Sequence, residues 1–208
     1  MPAIALAFLI AYGLLAVGMR MLVHVRRTGS TGFKGLHGGS RSELAGALLL
    51  VCAVVMCIAG PALQLAGVVD QLGALSGALA KIVGIALACA GIALTVLAQF
   101  AMGDAWRVGV DPSERTELVT DGPFSLARNP IFAAMIPAFT GILLLAPNLL
   151  TLAGAILLTV ALELHVRRIE EPYLLWVHGE QYAVYAARVG RFIPGIGRLR
   201  DRLGLDAR

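Results

Sequence analysis

In ALELHVRRIEEPY, charged residues recur at spacings of three and four: Glu163, Arg167, then Glu170 and Glu171. On a helix they share one stripe, and Glu163 can pair with Arg167 one turn on. The peptide closes an apolar run long enough to sit in lipid, where a carboxylate is costly and Glu163 is expected to face the bundle interior. Adjacent carboxylates at Glu170 and Glu171 therefore need a cationic or polar occupant, or a protein partner; a solvated helix end flanked by arginines is the plain alternative. A second polar stretch, MGDAWRVGVDPSERTELVTDGPFSLARNP, mixes Trp106, Arg107, Arg115 and Arg128 with five acidic residues and turn formers. It reads as a solvated connector until its end. There Arg128-Asn129-Pro130 stands where polar loop becomes apolar helix, Pro130 suits a first helical turn, and the exposed amides favour an anionic group nearby.

The elements that must hold these residues are membrane helices. Hydrophobic residues make up 58% of the 208, charged residues only 14%, and the mean hydropathy is +0.81, outside the range of a soluble domain. The expected fold is all-α, a multi-pass transmembrane bundle with a cytosolic C-terminal helical lid. Five spans fall at about 3–23, 43–66, 79–101, 130–146 and 149–165, each near the length that crosses hydrocarbon. The last two are short and split by Pro147-Asn148, which reads as a tight helical hairpin. The chain divides into N-terminal membrane helices over 1–101 and a core over 102–208, joined in one integrated domain. The apolar start lacks a basic leader and is expected to stay as the first helix.

Between the first two spans, RRTGSTGFKGLHGGSR carries Arg26, Arg27, Lys34 and Arg41 and no acidic residue, which places it in the cytoplasm. Its GLHGG segment reads as flexible linker. Counting onward, the loop after Met102 and the tail from Arg167 share that face, with the C-terminus cytoplasmic and the membrane a prokaryotic plasma membrane; Lys81, on the outer side, dissents. Pro172 is expected to break or bend the chain. YLLWVHGEQYAVYAARVGRF then reads as short amphipathic helices on the membrane surface, with Leu174, Leu175 and Trp176 as interfacial anchors. Arg198, Arg200 and Arg202 would address anionic lipid heads. Cys52, Cys57 and Cys89 lack paired spacing and read as small core residues, the four histidines are too scattered for a metal cluster, and no basic stripe suggests nucleic acid.

Glu170-Glu171, Gly179-Glu180, Tyr182, Tyr185, Arg188-Val189 and Phe192-Ile193-Pro194 together resemble the C-terminal signature of the isoprenylcysteine carboxyl methyltransferase family, which includes phospholipid methyltransferase relatives. Upstream, LVTDGPFSLARNPIF resembles that family's segment in which an Arg-His-Pro-x-Tyr motif opens a membrane helix. The resemblance covers about the last half of the chain. It implies an integral-membrane methyltransferase with S-adenosylmethionine bound from the cytosol and a hydrophobic or lipid-like small-molecule acceptor entering from the bilayer. It further implies a cofactor pocket from Arg128, Asn129, Phe132, Arg167, Glu170, Glu171, Tyr182 and Tyr185, with Arg128 and Glu171 as catalytic residues, and Arg188 in the tail that covers it. Asn129 stands where the family has histidine and Phe132 where it has tyrosine, so one imidazole and one phenol are missing.

In this reading Glu170 or Glu171 binds the cofactor's ammonium group or ribose hydroxyls through charge-assisted bonds, and Arg128 or Arg107 holds a carboxylate. Methyl transfer from a sulfonium needs alignment and exclusion of water, and no covalent nucleophile. A carboxylate acceptor requires no general base; an amine requires a group, such as one of the acidic residues, to take its proton. The alternatives are a membrane sterol-type reductase relative that binds a nicotinamide cofactor, and a non-catalytic family member.

Overall fold

The computed structural model describes residues 1–32, 41–107, 109 and 117–199, and every regular element among them is helical. α1 runs Pro2–Thr28, α2 Arg41–Leu65, α3 Ala78–Ala101, α4 Pro130–Leu145, α5 Leu149–His178 and α6 Glu180–Arg188. By length and composition α1, α2, α3 and α5 can each cross a membrane, whereas α4 is a shorter apolar helix of 16 residues. Large apolar side chains such as Leu14, Val55, Leu79 and Ile82 point outward. Such a surface matches lipid, where each helix also satisfies its own backbone.

Helices in lipid gain little from expelling water, so they pair where small residues let backbones close in. α3 packs along α4, and α2 along α5. A Cβ added at Gly91 would lie 2.5 Å from Ala138 N, and one at Gly141 2.5 Å from Gly84 O. On the other pair, a Cβ at Gly154 would meet Cys57 Sγ at 2.9 Å. Between the pairs lies a core that includes Ala53, Cys57, Phe139, Leu158 and Leu162. Of the three cysteines only Cys57 is buried; Cys52 and Cys89 are exposed, which corrects their reading as core residues.

The Pro147-Asn148 hairpin is present and has a mechanism. Asn148 Oδ1 accepts from Thr151 N at 2.9 Å, capping α5, while its Nδ2 donates to Gln64 Oε1 at 2.9 Å and ties down the end of α2. α5 is longer than expected, because Pro172 neither breaks nor ends it. A π-helical turn, Val166–Glu170, precedes the proline, and the Glu171 N–H reaches back five residues to Val166 O. Pro172 follows where the ladder changes register, so its missing N–H costs little. The residues after it therefore continue the membrane helix instead of lying on the surface as expected. The chain turns at Gly179, whose φ of 51° favours glycine, and only α6 forms a separate short helix. A second π turn, Gly13–Met19, interrupts α1. The GLHGG segment, Arg115, Arg200 and Arg202 lie outside the described residues.

Candidate functional site

The start of α4 is held by the C-terminal tail. Arg128 N–H donates to Gly190 O at 2.8 Å and Asn129 N–H to Arg191 O at 3.0 Å, making a short parallel bridge between Ala127 and Gly190. Asn129 Nδ2 donates to the same Arg191 carbonyl at 3.2 Å. Gly190 has no room for a side chain, since a Cβ there would lie 2.1 Å from Ile193 O. The tail folds back on itself at that point, with Arg191 N–H donating to Ile196 O.

Beneath this bridge lies an ion cluster. Glu171 accepts from Arg191 Nε at 2.8 Å and Arg191 Nη2 at 3.0 Å, and its Oε1 also receives Arg128 Nη2. The Arg128 guanidinium donates further to the carbonyls of Ala186, Val189 and Gly197, all in α6 or the tail. Arg191 also reaches Glu163 at 3.2 Å, and Glu163 pairs with Arg167 as the i,i+4 spacing predicts. The bond with Glu171 holds the Arg191 guanidinium above its ordinary pKa, so it stays charged although buried. The partner that the acidic pair needs is thus, for Glu171, two arginines of the chain itself.

Next to the cluster is a cavity of about 390 Å³, bounded by α1, α4, α5, α6, the loop after α3, Leu50 of α2 and Gln99 of α3. This is the size of a small-molecule site. Its wall combines apolar side chains, including Val17, Leu50, Phe132, Met135, Leu162 and Leu174, with polar ones, including Asn129, His165, Glu170, Tyr182 and Tyr185. His165 Nε2 lies 3.3 Å from Glu170 Oε1, and the Phe132 ring meets the imidazole edge-on at 6.0 Å between centroids. At the side near the loop, Arg107 Nη2 contacts the Tyr173 hydroxyl at 3.4 Å and His178 joins the wall. Tyr185 donates its hydroxyl to Phe124 O at 2.6 Å, and burial pushes that phenol up to about 12; burial also raises Tyr182, so both remain neutral donors. The loop is anchored by Arg20, which donates to Gly103 O and stacks on Trp106 at 4.8 Å and Phe100 at 5.4 Å. Gln99 Nε2 donates at 2.9 Å to Ala16 O, in the π turn of α1.

Of the residues that the sequence singles out, Arg128, Asn129, Phe132, Glu170, Tyr182 and Tyr185 line the cavity. Glu171 lies behind the wall in the ion cluster, and Arg167 is exposed outside it; Arg188 is exposed too. Leu174 lines the cavity instead of anchoring at an interface, whereas Trp176 is exposed. Sequence reasoning missed His165, Arg191 and Arg20. Arg191 carries no local signal, because its partner Glu171 lies 20 positions away and the tail must first reverse. His165 had one: it stands five residues before Glu170, a spacing that only a π turn stacks on one face.

A lipid-facing helical bundle with a chamber beside its polar loops defines an integral-membrane protein. Residues 79–181 match the family model described as phospholipid methyltransferase, and the chain belongs to that family of integral-membrane methyltransferases. The match spans α3 to the start of α6, so the α3–α4 pairing, the Arg128-Asn129-Pro130 corner and the Glu170-Glu171 pair fall inside it. The tail that clasps them lies beyond it. No curated protein and no solved structure matches the chain.

Proposed function

We propose that the chain transfers a methyl group from S-adenosylmethionine to a hydrophobic or lipid-like acceptor, with the donor bound in the cavity from the cytosolic face. The observation that carries this reading is the cavity itself: about 390 Å³, lined by apolar side chains together with the carboxylates of Glu117 and Glu170, the guanidiniums of Arg107 and Arg128, the Asn129 amide and the Tyr182 and Tyr185 phenols. These donors and acceptors suit a ligand that carries an ammonium, a carboxylate, hydroxyls and a flat heteroaromatic ring. Glu170 would hold the ammonium or the ribose hydroxyls, Arg107 the carboxylate, and Phe132 would pack against the ring. When bound, the donor supplies a methyl group on a sulfonium. The residues of the chain align the two partners and keep water out, as such a displacement requires.

Arg128 and Glu171 act in this reading by position. Their bonds hold α6 and the tail against the opening of α4, which keeps Tyr182 and Tyr185 over the cavity. The apolar wall formed by Leu50, Met135 and Leu162 gives a hydrocarbon chain a place to lie. The test is to incubate membranes containing the protein with methyl-labelled S-adenosylmethionine and to extract the lipids. Label in an apolar extract, absent from membranes without the protein, supports the reading. Label confined to water-soluble species would count against a lipid-like acceptor, and no label above background against transfer altogether.

A further inference from the structure

The chamber contains an acid–base pair that the corner motif does not provide. His165 and Glu170 both line the cavity, and the imidazole Nε2 lies 3.3 Å from the carboxylate Oε1. Five residues apart, they would diverge on an α-helix; the π turn Val166–Glu170 winds wider and stacks them. Such turns recur where function requires a helix to aim side chains. The edge-on Phe132 ring fixes the plane of the imidazole from α4. With Nε2 directed at a carboxylate, Nδ1 is left as the basic nitrogen, the arrangement by which a histidine acts as a general base. Asn129 and Phe132 offer no titratable group at the corner; of the two α5 imidazoles in this wall, His165 is the one set beside a carboxylate, whereas His178 faces the Arg107 guanidinium.

We infer that His165, oriented by Glu170, takes the proton from the methyl acceptor. This rests on the methyltransferase reading and narrows it to acceptors that present an N–H or O–H. In the step, His165 accepts that proton. The electron pair left on nitrogen or oxygen forms the bond to the methyl carbon as the carbon–sulfur bond breaks, and the electrons of that bond return to sulfur. The positive charge lost from sulfur reappears on the imidazolium beside Glu170, and the proton then leaves to water. Two carboxylates act on the imidazole, Glu170 from its own helix and Glu43 from α2, while α4 contributes the uncharged Phe132 ring.

The experiment uses the full chain in nanodiscs of phosphatidylethanolamine, which offers N–H, of phosphatidylglycerol, which offers O–H, or of phosphatidylcholine doped with dodecanoic acid, which needs no base. Transfer of labelled methyl is followed against pH, and S-adenosylhomocysteine binding is measured by calorimetry on the same samples. Transfer in one of the first two arms, rising with pH through one ionisation, is expected from the unaltered chain. His165→Gln should lose about a hundredfold in transfer and the pH dependence with it, with S-adenosylhomocysteine affinity unchanged. Added imidazole should restore activity to His165→Ala, which a merely structural role would not allow. S-adenosylhomocysteine binding without His165-dependent transfer in either of the first two arms, or transfer to dodecanoic acid alone, overturns this inference and leaves the methyltransferase reading standing. Failure of the unaltered chain to bind S-adenosylhomocysteine overturns both.

Discussion

Glu171 carries one negative charge against two guanidinium groups, and its side chain is almost sealed from solvent. Removing that charge leaves Arg128 and Arg191 buried side by side, a situation that costs about 3 kcal/mol or more. Glu171→Gln should therefore lower thermal stability in detergent and weaken S-adenosylhomocysteine binding, whereas Glu180→Gln, at an exposed position, should change neither. Equal effects in parallel melts would remove the cluster from the account. The tyrosines add a pH signature. An unfolded tyrosine ionises near pH 10, about two units below the buried Tyr185. Stability from this group is thus complete below about pH 10 and falls as pH rises toward 12, because the unfolded state then gains from losing the proton first. Tyr185→Phe should flatten part of that fall in unfolding melts run from pH 8 to 11. The acidic pair was legible because adjacent carboxylates at the end of an apolar run demand a partner. Arg191 was not, since nothing near it in sequence signals that the tail reverses.

Helices here owe their positions to what they lack. Gly84, Gly91 and Gly141 let α3 and α4 touch backbone to backbone, and a leucine at Gly91 would drive its Cβ into the Ala138 main chain. Gly91→Leu should separate that pair and abolish a folded, monodisperse peak in detergent, where Gly13→Leu, facing open space, should not. In the tail, Gly190→Ala must displace either Ile193 or the bridge to Ala127, so loss of S-adenosylhomocysteine binding with the bundle still folded is the expected outcome of calorimetry and melting together. At this scale hydropathy located all five apolar helices, and Pro147-Asn148 marked their hairpin. The π turns escaped it, because apolar periodicity cannot distinguish a widened turn from an α-turn. With them went the continuation of α5 through Pro172 and the stacking of His165 on Glu170.

Taken whole, the chain is a membrane bundle in which the family-matched half, residues 79–181, supplies the corner and the acidic pair, while α1, Leu50 of α2 and the α6 tyrosines complete the chamber. By the positive-inside rule the loop between the first two helices is expected in the cytosol, and we propose that the chamber opens on that side. Cysteines introduced at Ser125 and at Gly77, both exposed and at opposite ends of the bundle, should react with an impermeant thiol reagent from opposite sides of sealed vesicles once Cys52, Cys57 and Cys89 are replaced. Everything chemical depends on what enters the 390 Å³ chamber. Calorimetric titration of the purified chain with S-adenosylmethionine and, separately, NADPH addresses that directly. Saturable binding of S-adenosylmethionine near one per chain, with none for NADPH, is the predicted result; binding of NADPH alone, or of neither, would contradict the account.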